Sequence, residues 1–275
     1  MLLRAPARLR SASLLAARSR SLLVAHARPC LVAARGLSTA AEQPAEPAKL
    51  VGSVMDELER LENLPWYKSG ILRLVGTFSD TQKQAAAGCD MFVRCYDQAQ
   101  LPQFYADEGA GLEDRYYRRF QVKGLLCWLC HVRLRQEPKE SFEHLFHEIM
   151  EKVWDKVNLD LSDQGMDFVH ASSHLKDMQL RWHGFARMLD EALAAAHPRE
   201  EIVGVLRRNM YADEDGGVTP EGDAAAQRLA DYVQAQIAHL AAIPTESVLK
   251  GRITWGRMEL APMEPRAAAA PAADA

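Results

Sequence analysis

The segment from Leu112 to Arg135, LEDRYYRRFQVKGLLCWLCHVRLR, constrains this chain more than any other. Its first half is strongly basic, and its second half is almost continuously apolar around Trp128. The uncharged piece from Gly124 to Cys130 has the length of a buried helix and falls far short of the ~20 apolar residues that span a bilayer. It also contains Cys127-Trp128-Leu129-Cys130-His131, the C-x-x-C-H pattern of covalent haem attachment. That pattern needs both thiols and the histidine at an exposed helix edge. Here Cys127 and Cys130 sit mid-helix among Leu125, Leu126 and Leu129, while Phe120, Gly124, Cys127, His131 and Leu134 share one face. Cysteines so placed behave as small apolar residues. The packing reading is therefore preferred to haem or thioredoxin-like redox chemistry.

The first acidic residue is Glu42, and seven arginines precede it among many Ala, Leu and Ser. Arginine-rich, serine-rich and acid-free, residues 1–37 read as a mitochondrial targeting presequence, and Arg35-Gly36-Leu37-Ser38 resembles a matrix-protease site. Removing the seven arginines leaves 26 of the 33 basic residues against 37 acidic ones, a net charge of −11. Phosphate neutralisation drives nucleic-acid binding, so a domain this acidic is a poor general binder and DNA is not an expected partner. Four cysteines remain beyond the presequence, too few and too irregular for a disulfide framework. A soluble or peripheral matrix protein is expected.

Residues 38–49 read as a flexible linker, and residues 261–275 as a disordered Ala/Pro tail that buries too little apolar surface to order itself. Between them, residues 50–260 form one helical domain. Val51, Val54, Met55, Leu58 and Leu61 share an arc that Pro65 ends, and a second helix covers Gln82 to Asp97. The third is the opening segment. The fourth has the cleanest period: Phe142, Leu145, Phe146, Ile149, Met150, Val153, Trp154 and Val157 follow the i, i+3, i+4, i+7 rule. Leu175, Met178, Trp182, Phe185, Leu189, Ala192 and Ala196 mark the fifth, Ile202 to Met210 the sixth, and Leu229 to Leu240 the seventh. Only Val248 to Trp255 looks extended. With no β-α alternation and no Gly-rich phosphate loop, the reading is all-α: an irregular bundle of about seven helices closed by a short extended segment.

Catalytic and metal patterns do not assemble. His144 and His147 lie away from the apolar arc, His170 and His174 lack the glutamate of H-E-x-x-H, and Asp167-x-x-His170 is a single half of a di-iron pattern. The acidic loop at Asp213 has Val218 where a calcium loop needs glycine and Ala224 where it needs a ligand. No enzyme, cofactor or metal is expected. The remaining candidate is a binding surface, with Arg115, Arg118, Arg119 and Lys123 along one helix beside Tyr116 and Tyr117. Such clusters are usually solvated faces or internal ion pairs, but in acidic surroundings a basic stripe also suits docking. Mid-helix Gly184 costs ~1 kcal/mol against alanine, so it is expected to permit close backbone approach.

The order of segments resembles the ubiquinol–cytochrome c reductase assembly-chaperone family, the cytochrome b assembly factor of mitochondrial complex III. The resemblance is carried by the Trp128 helix with Arg133-Leu134, by Leu175-Lys176-Asp177-Met178 leading through Trp182-His183-Gly184 to Leu189-Asp190-Glu191-Ala192-Leu193, and by Arg208-Asn209, Tyr232-Val233 and Gly251-Arg252-Ile253-Thr254-Trp255. It departs from the family at Leu126, where a histidine is usual, and at His183, where an aromatic is usual. The resemblance implies a non-enzymatic chaperone at the matrix side of the inner membrane. Its implied partners are newly made cytochrome b, a small helical co-chaperone and the mitochondrial ribosome near its tunnel exit. A long apolar client helix suits a helix-in-groove mode. Partner-facing residues are then expected at Arg115, Arg118, Arg119 and Lys123 and around Lys176, Arg181 and Gly184, with Trp128, Arg133, Trp182 and Trp255 as core. The rivals are a haem- or metal-binding helical enzyme using Cys127, Cys130 and His131 or a histidine cluster, and a scaffold for ribosomal RNA.

Overall fold

The computed structural model describes residues 53–257, apart from Val75 and Glu214. The expected presequence, linker and Ala/Pro tail lie outside the described residues, as does Val51. Nine α-helices occur among the described residues: α1 (Val54–Glu62), α2 (Trp66–Leu74), α3 (Asp80–Ala99), α4 (Tyr116–Leu134), α5 (Lys139–Asp163), α6 (Phe168–Leu193), α7 (Pro198–Leu206), α8 (Pro220–Ala241) and α9 (Thr245–Leu249). A 3-10 turn covers Pro102–Phe104, and a π-helical turn, Arg207–Tyr211, continues α7. No strand occurs among the described residues, so the all-α expectation holds.

Local chemistry sets the helix boundaries. Ser79 Oγ accepts from the Gln82 amide at 3.4 Å and Thr219 Oγ1 from the Gly222 amide at 3.1 Å, so side chains satisfy an amide in the first turn of α3 and of α8. Proline stands at the first turn of α7 and of α8, where its missing N–H costs nothing. The start of α1 is held from another helix. Buried Asp90 of α3 accepts from the Val54 and Met55 amides at 2.8 and 3.1 Å, placing a carboxylate on an otherwise unsatisfied helix N-terminus.

Helix α4 is the axis of the bundle. It packs against α3, α5, α6 and α8, and every residue from Phe120 to Cys130 is buried. An uninterrupted apolar run is what a helix surrounded on all sides requires. Alongside, α3 runs against α5, and Gly88 makes this possible: a Cβ there would lie 2.6 Å from Glu148 Cβ. The apolar stripe of α5 is as expected, with Leu145, Ile149, Met150, Val153 and Val157 buried and Phe142, Phe146 and Trp154 packed at its edge.

Three expectations need correction. Helix α2 was not foreseen, because WYKSGILRL shows no core-facing period and follows a proline. Ala196 lies beyond α6 and is exposed, since the chain must leave the helix before Pro198. Val248 belongs to α9, and the segment after it has no ladder partner: it is a strap, not a strand.

Candidate functional site

Aromatic residues lock α4 to α6. Trp182 packs against Gly124, where an added Cβ would stand 2.8 Å from Trp182 Cδ1 and 3.1 Å from Nε1. Glycine at 124 is thus the close-approach residue of this pair. Gly184, expected in that role, has open space around its α-carbon, because it lies on the opposite, exposed face of α6. A second tie runs from Trp128, whose Nε1 donates to Asp190 at 2.8 Å, while Arg135 Nη2 reaches the same carboxylate at 2.5 Å.

Arg133 is a buried hub. Its Nε donates to the Leu240 carbonyl and Nη2 to the Ile243 carbonyl, both at 2.9 Å, and Nη1 pairs with Glu137 at 2.5 Å. Thr245 Oγ1 donates to the same glutamate at 3.0 Å. One guanidinium therefore adds donors to two carbonyls at the end of α8 and fixes the entry to α9.

The closing strap binds three helices. Gly251 has φ +72°, and a Cβ there would lie 2.3 Å from the Ala87 carbonyl oxygen, so only glycine fits. Arg252 Nη2 bridges Asp56 at 2.8 Å and Glu59 at 2.6 Å on α1, and these bonds hold the Glu59 carboxyl below its ordinary pKa. Ile253 is buried, and Trp255 Nε1 donates to the Arg94 carbonyl of α3 at 3.0 Å. His239 of α8 meets Thr254 Oγ1 at 3.2 Å. Trp128, Arg133, Trp182 and Trp255 thus all serve the framework.

The basic stripe divides. Arg115 is exposed beside Glu113 at 3.2 Å. Arg118 Nη1 donates to Gln121 Oε1 at 2.9 Å and to the Asn209 carbonyl at 3.1 Å, and Gln121 adds a bond of 2.7 Å to the same carbonyl. Together they satisfy the π turn. Arg119 binds Asp114 at 2.5 and 2.8 Å and also reaches Gln100. Lys123, expected on the surface, is buried: its ammonium lies 5.2 Å from the Tyr96 ring centre and 5.8 Å from that of Tyr116. Burial pushes its pKa down to about 8, against the pull of Asp160. Its place on the inner face of α4 was hidden because lysine reads as surface in any helical projection.

On α6, Lys176, Arg181 and Gly184 are all exposed, and Leu180 between them is 74% exposed. The Arg181 guanidinium lies 5.8 Å from the Tyr117 ring centre on α4. This contact joins the outer face of α6 to the start of α4.

Next to that junction lies an open cleft of about 880 Å³. Arg115, Tyr117 and Arg118 form one wall, the π turn with Met210 and Tyr211 another, and Arg228 of α8 the floor with Ala225. Carboxylates of Asp107, Glu113, Asp213 and Glu221 rim it, so its charge is mixed. The cleft is built firmly: Tyr211 Oη donates to the Ala110 carbonyl at 2.7 Å and Arg228 Nε to the Gly109 carbonyl at 2.9 Å. Sequence reasoning missed Tyr211 and Arg228; the neighbouring Arg208-Asn209 pair was the available signal.

The C-x-x-C-H residues pack inward. Cys127 and Cys130 are buried, with Cys130 Sγ 3.4 Å from Cys95 Sγ. Hydrogen bonding from Cys127 and Cys130, then burial, holds the Cys95 thiol well above its ordinary pKa, which disfavours the reactive thiolate. His131 stacks on Phe146 at 4.2 Å, and desolvation pushes its pKa down to about 4. Asp167 accepts from the His170 amide at 3.1 Å and contacts its ring at 2.5 Å, a local contact at the start of α6. Asp213 Oδ1 accepts from the Asp215 and Gly217 amides at 3.1 and 2.6 Å, which accounts for the acidic loop as a turn. No group of three or more His, Cys, Asp or Glu able to hold a metal occurs among the described residues.

Comparison with known proteins places this architecture. The crystal structure of the Cbp3 homolog from Brucella abortus matches with a TM-score of 0.57 at 21% identity, covering 69% of this chain and 98% of that one. A likeness at that identity establishes the fold. Comparison with curated proteins gives no match. The model of the ubiquinol-cytochrome C chaperone family matches residues 108–255, more than half of the chain and nearly all of the framework from α4 to the strap, and the chain belongs to that family.

Proposed function

We propose that this protein is a non-enzymatic assembly chaperone of mitochondrial respiratory complex III. It works in the matrix, peripheral to the inner membrane, after removal of residues 1–37. Its client is newly synthesised cytochrome b, held together with a small helical co-chaperone near the ribosome exit. The observation that carries this reading is the family match over residues 108–255. It is supported by an outward surface that the framework leaves free for a partner: the α6 face with Lys176, Leu180, Arg181 and Gly184, continuous through Tyr117 with the cleft at Arg115. No helix among the described residues is long and apolar enough to cross a membrane, so any membrane client is met from outside the bilayer.

Arg118 and Arg119 hold the π turn and the 100–114 segment, so reversing their charge tests folding as much as binding. Exposed Arg115 and Arg181 make the cleaner probe. Mass spectrometry of proteins co-purified from gently solubilised mitochondria should recover cytochrome b and a small helical protein with the wild-type chain. An eluate free of complex III components would overturn the proposal.

A further inference from the structure

Helix α2 presents an apolar arc outward. At 100° per residue, Arg73, Trp66, Gly70, Leu74 and Tyr67 fall within one arc of about 120°. All five are exposed, with Trp66 at 84%, Tyr67 at 60% and Leu74 at 89%. Ser69, just outside that arc, is 3% exposed. Leu72 is half-buried on the inner side, so Trp66, Tyr67 and Leu74 are apolar residues left over on the outward arc, where a surface helix in water carries polar ones. Trp66 and Tyr67 pack edge to face, 6.3 Å between ring centres, so they present one aromatic cap.

Charge decides what this face meets. Arg73 lies within that arc and no acidic residue stands between Glu62 and Asp80, although the chain beyond residue 37 carries a net negative charge. A locally cationic, aromatic surface on an acidic body matches an anionic lipid headgroup layer, where Trp and Tyr settle with their rings in the interface and their polar atoms in water. A nine-residue helix is far too short to span the bilayer and suits lying in its plane.

We infer that α2 is an interfacial docking helix that seats the protein on an anionic bilayer surface through Trp66, Tyr67 and Leu74. This contact lies outside the family-matched region and is separate from the α4–α6 surface proposed for the client. The test uses the full chain with phosphatidylcholine vesicles containing phosphatidylglycerol, the acyl chains brominated to quench tryptophan at contact. The arginine-rich residues 1–37 also attract such vesicles but contain no tryptophan, so quenching reads depth at the helix and not mere attachment. Trp128 and Trp182 are buried, and half-buried Trp154 and Trp255 are a background that Trp66→Phe retains and that is subtracted from the wild-type signal. Brominated vesicles should quench the wild-type protein. Trp66→Phe should lose that quenched component, and Leu74→Glu should lose most of it while its circular dichroism stays unchanged. Wild-type emission indifferent to bromination, or quenching in Trp66→Phe undiminished from wild type, would overturn the inference. Because both substitutions leave Arg115 and Arg181 intact, recovery of cytochrome b reports separately on the client surface.

Discussion

Gly124 and Gly184 both lie within helices of the α4–α6 pair, and their surroundings are opposite. At Gly124 an indole ring occupies the space a methyl would take, and the two helices depend on that contact. Gly184 faces outward with nothing near it, beside exposed Leu180 and Arg181. The inner side of α6 is committed to the fold, while its outer side carries apolar and cationic groups that the fold does not use. A helix glycine is therefore evidence of close approach only when its face is known.

The largest effect that would break this division is expected at Arg133, the deepest polar tie. Arg133→Ala removes the cation from buried Glu137 and the side-chain donor from the Ile243 carbonyl, and should cost about 3–5 kcal/mol in urea unfolding. Lys123 tests the interior from the other direction. Its folded pKa of about 8 lies below the unfolded value of 10.5, so the unfolded chain binds more protons between those limits. The burial cost is therefore fully present below about pH 8 and relieved as pH rises toward 10.5. That cost is roughly 3 kcal/mol at pH 7 for a shift of this size. Lys123→Met should raise stability at pH 7 by about 1–3 kcal/mol and flatten the rise between pH 8 and 10.5.

Smaller effects sharpen the contrast between the glycines. Gly124→Ala should lose about 1–2 kcal/mol, since crowding Trp182 outweighs the gain in helix propensity. Gly184→Ala should gain about 0.5–1 kcal/mol, because nothing opposes the propensity term. Opposite signs in thermal melts of these two variants would confirm which face is structural.

Much of the framework is legible in the residues themselves. The uninterrupted apolar run of α4 announces a helix surrounded on every side, and the i, i+3, i+4 period of α5 places its buried face correctly. What escapes are features that depend on a distant partner. Asp90 caps α1 from another helix, and Lys123 is buried because Tyr96 and Tyr116 roof it. Helix α2 escapes for a different reason: its apolar arc faces out, so no core period marks it. Of the proposed contact residues, Arg115, Lys176, Arg181 and Gly184 lie outward, Arg118 and Arg119 are engaged within the chain, and Lys123 is inside.

The central claim is that the framework holds a shape while the α4–α6 outer edge holds the client. Capture of pulse-labelled cytochrome b from translating mitochondria tests it directly, comparing wild-type protein with Arg115→Glu/Arg181→Glu. The account predicts normal melting of the double variant and loss of most of the labelled cytochrome b. Undiminished capture by that folded variant would contradict it.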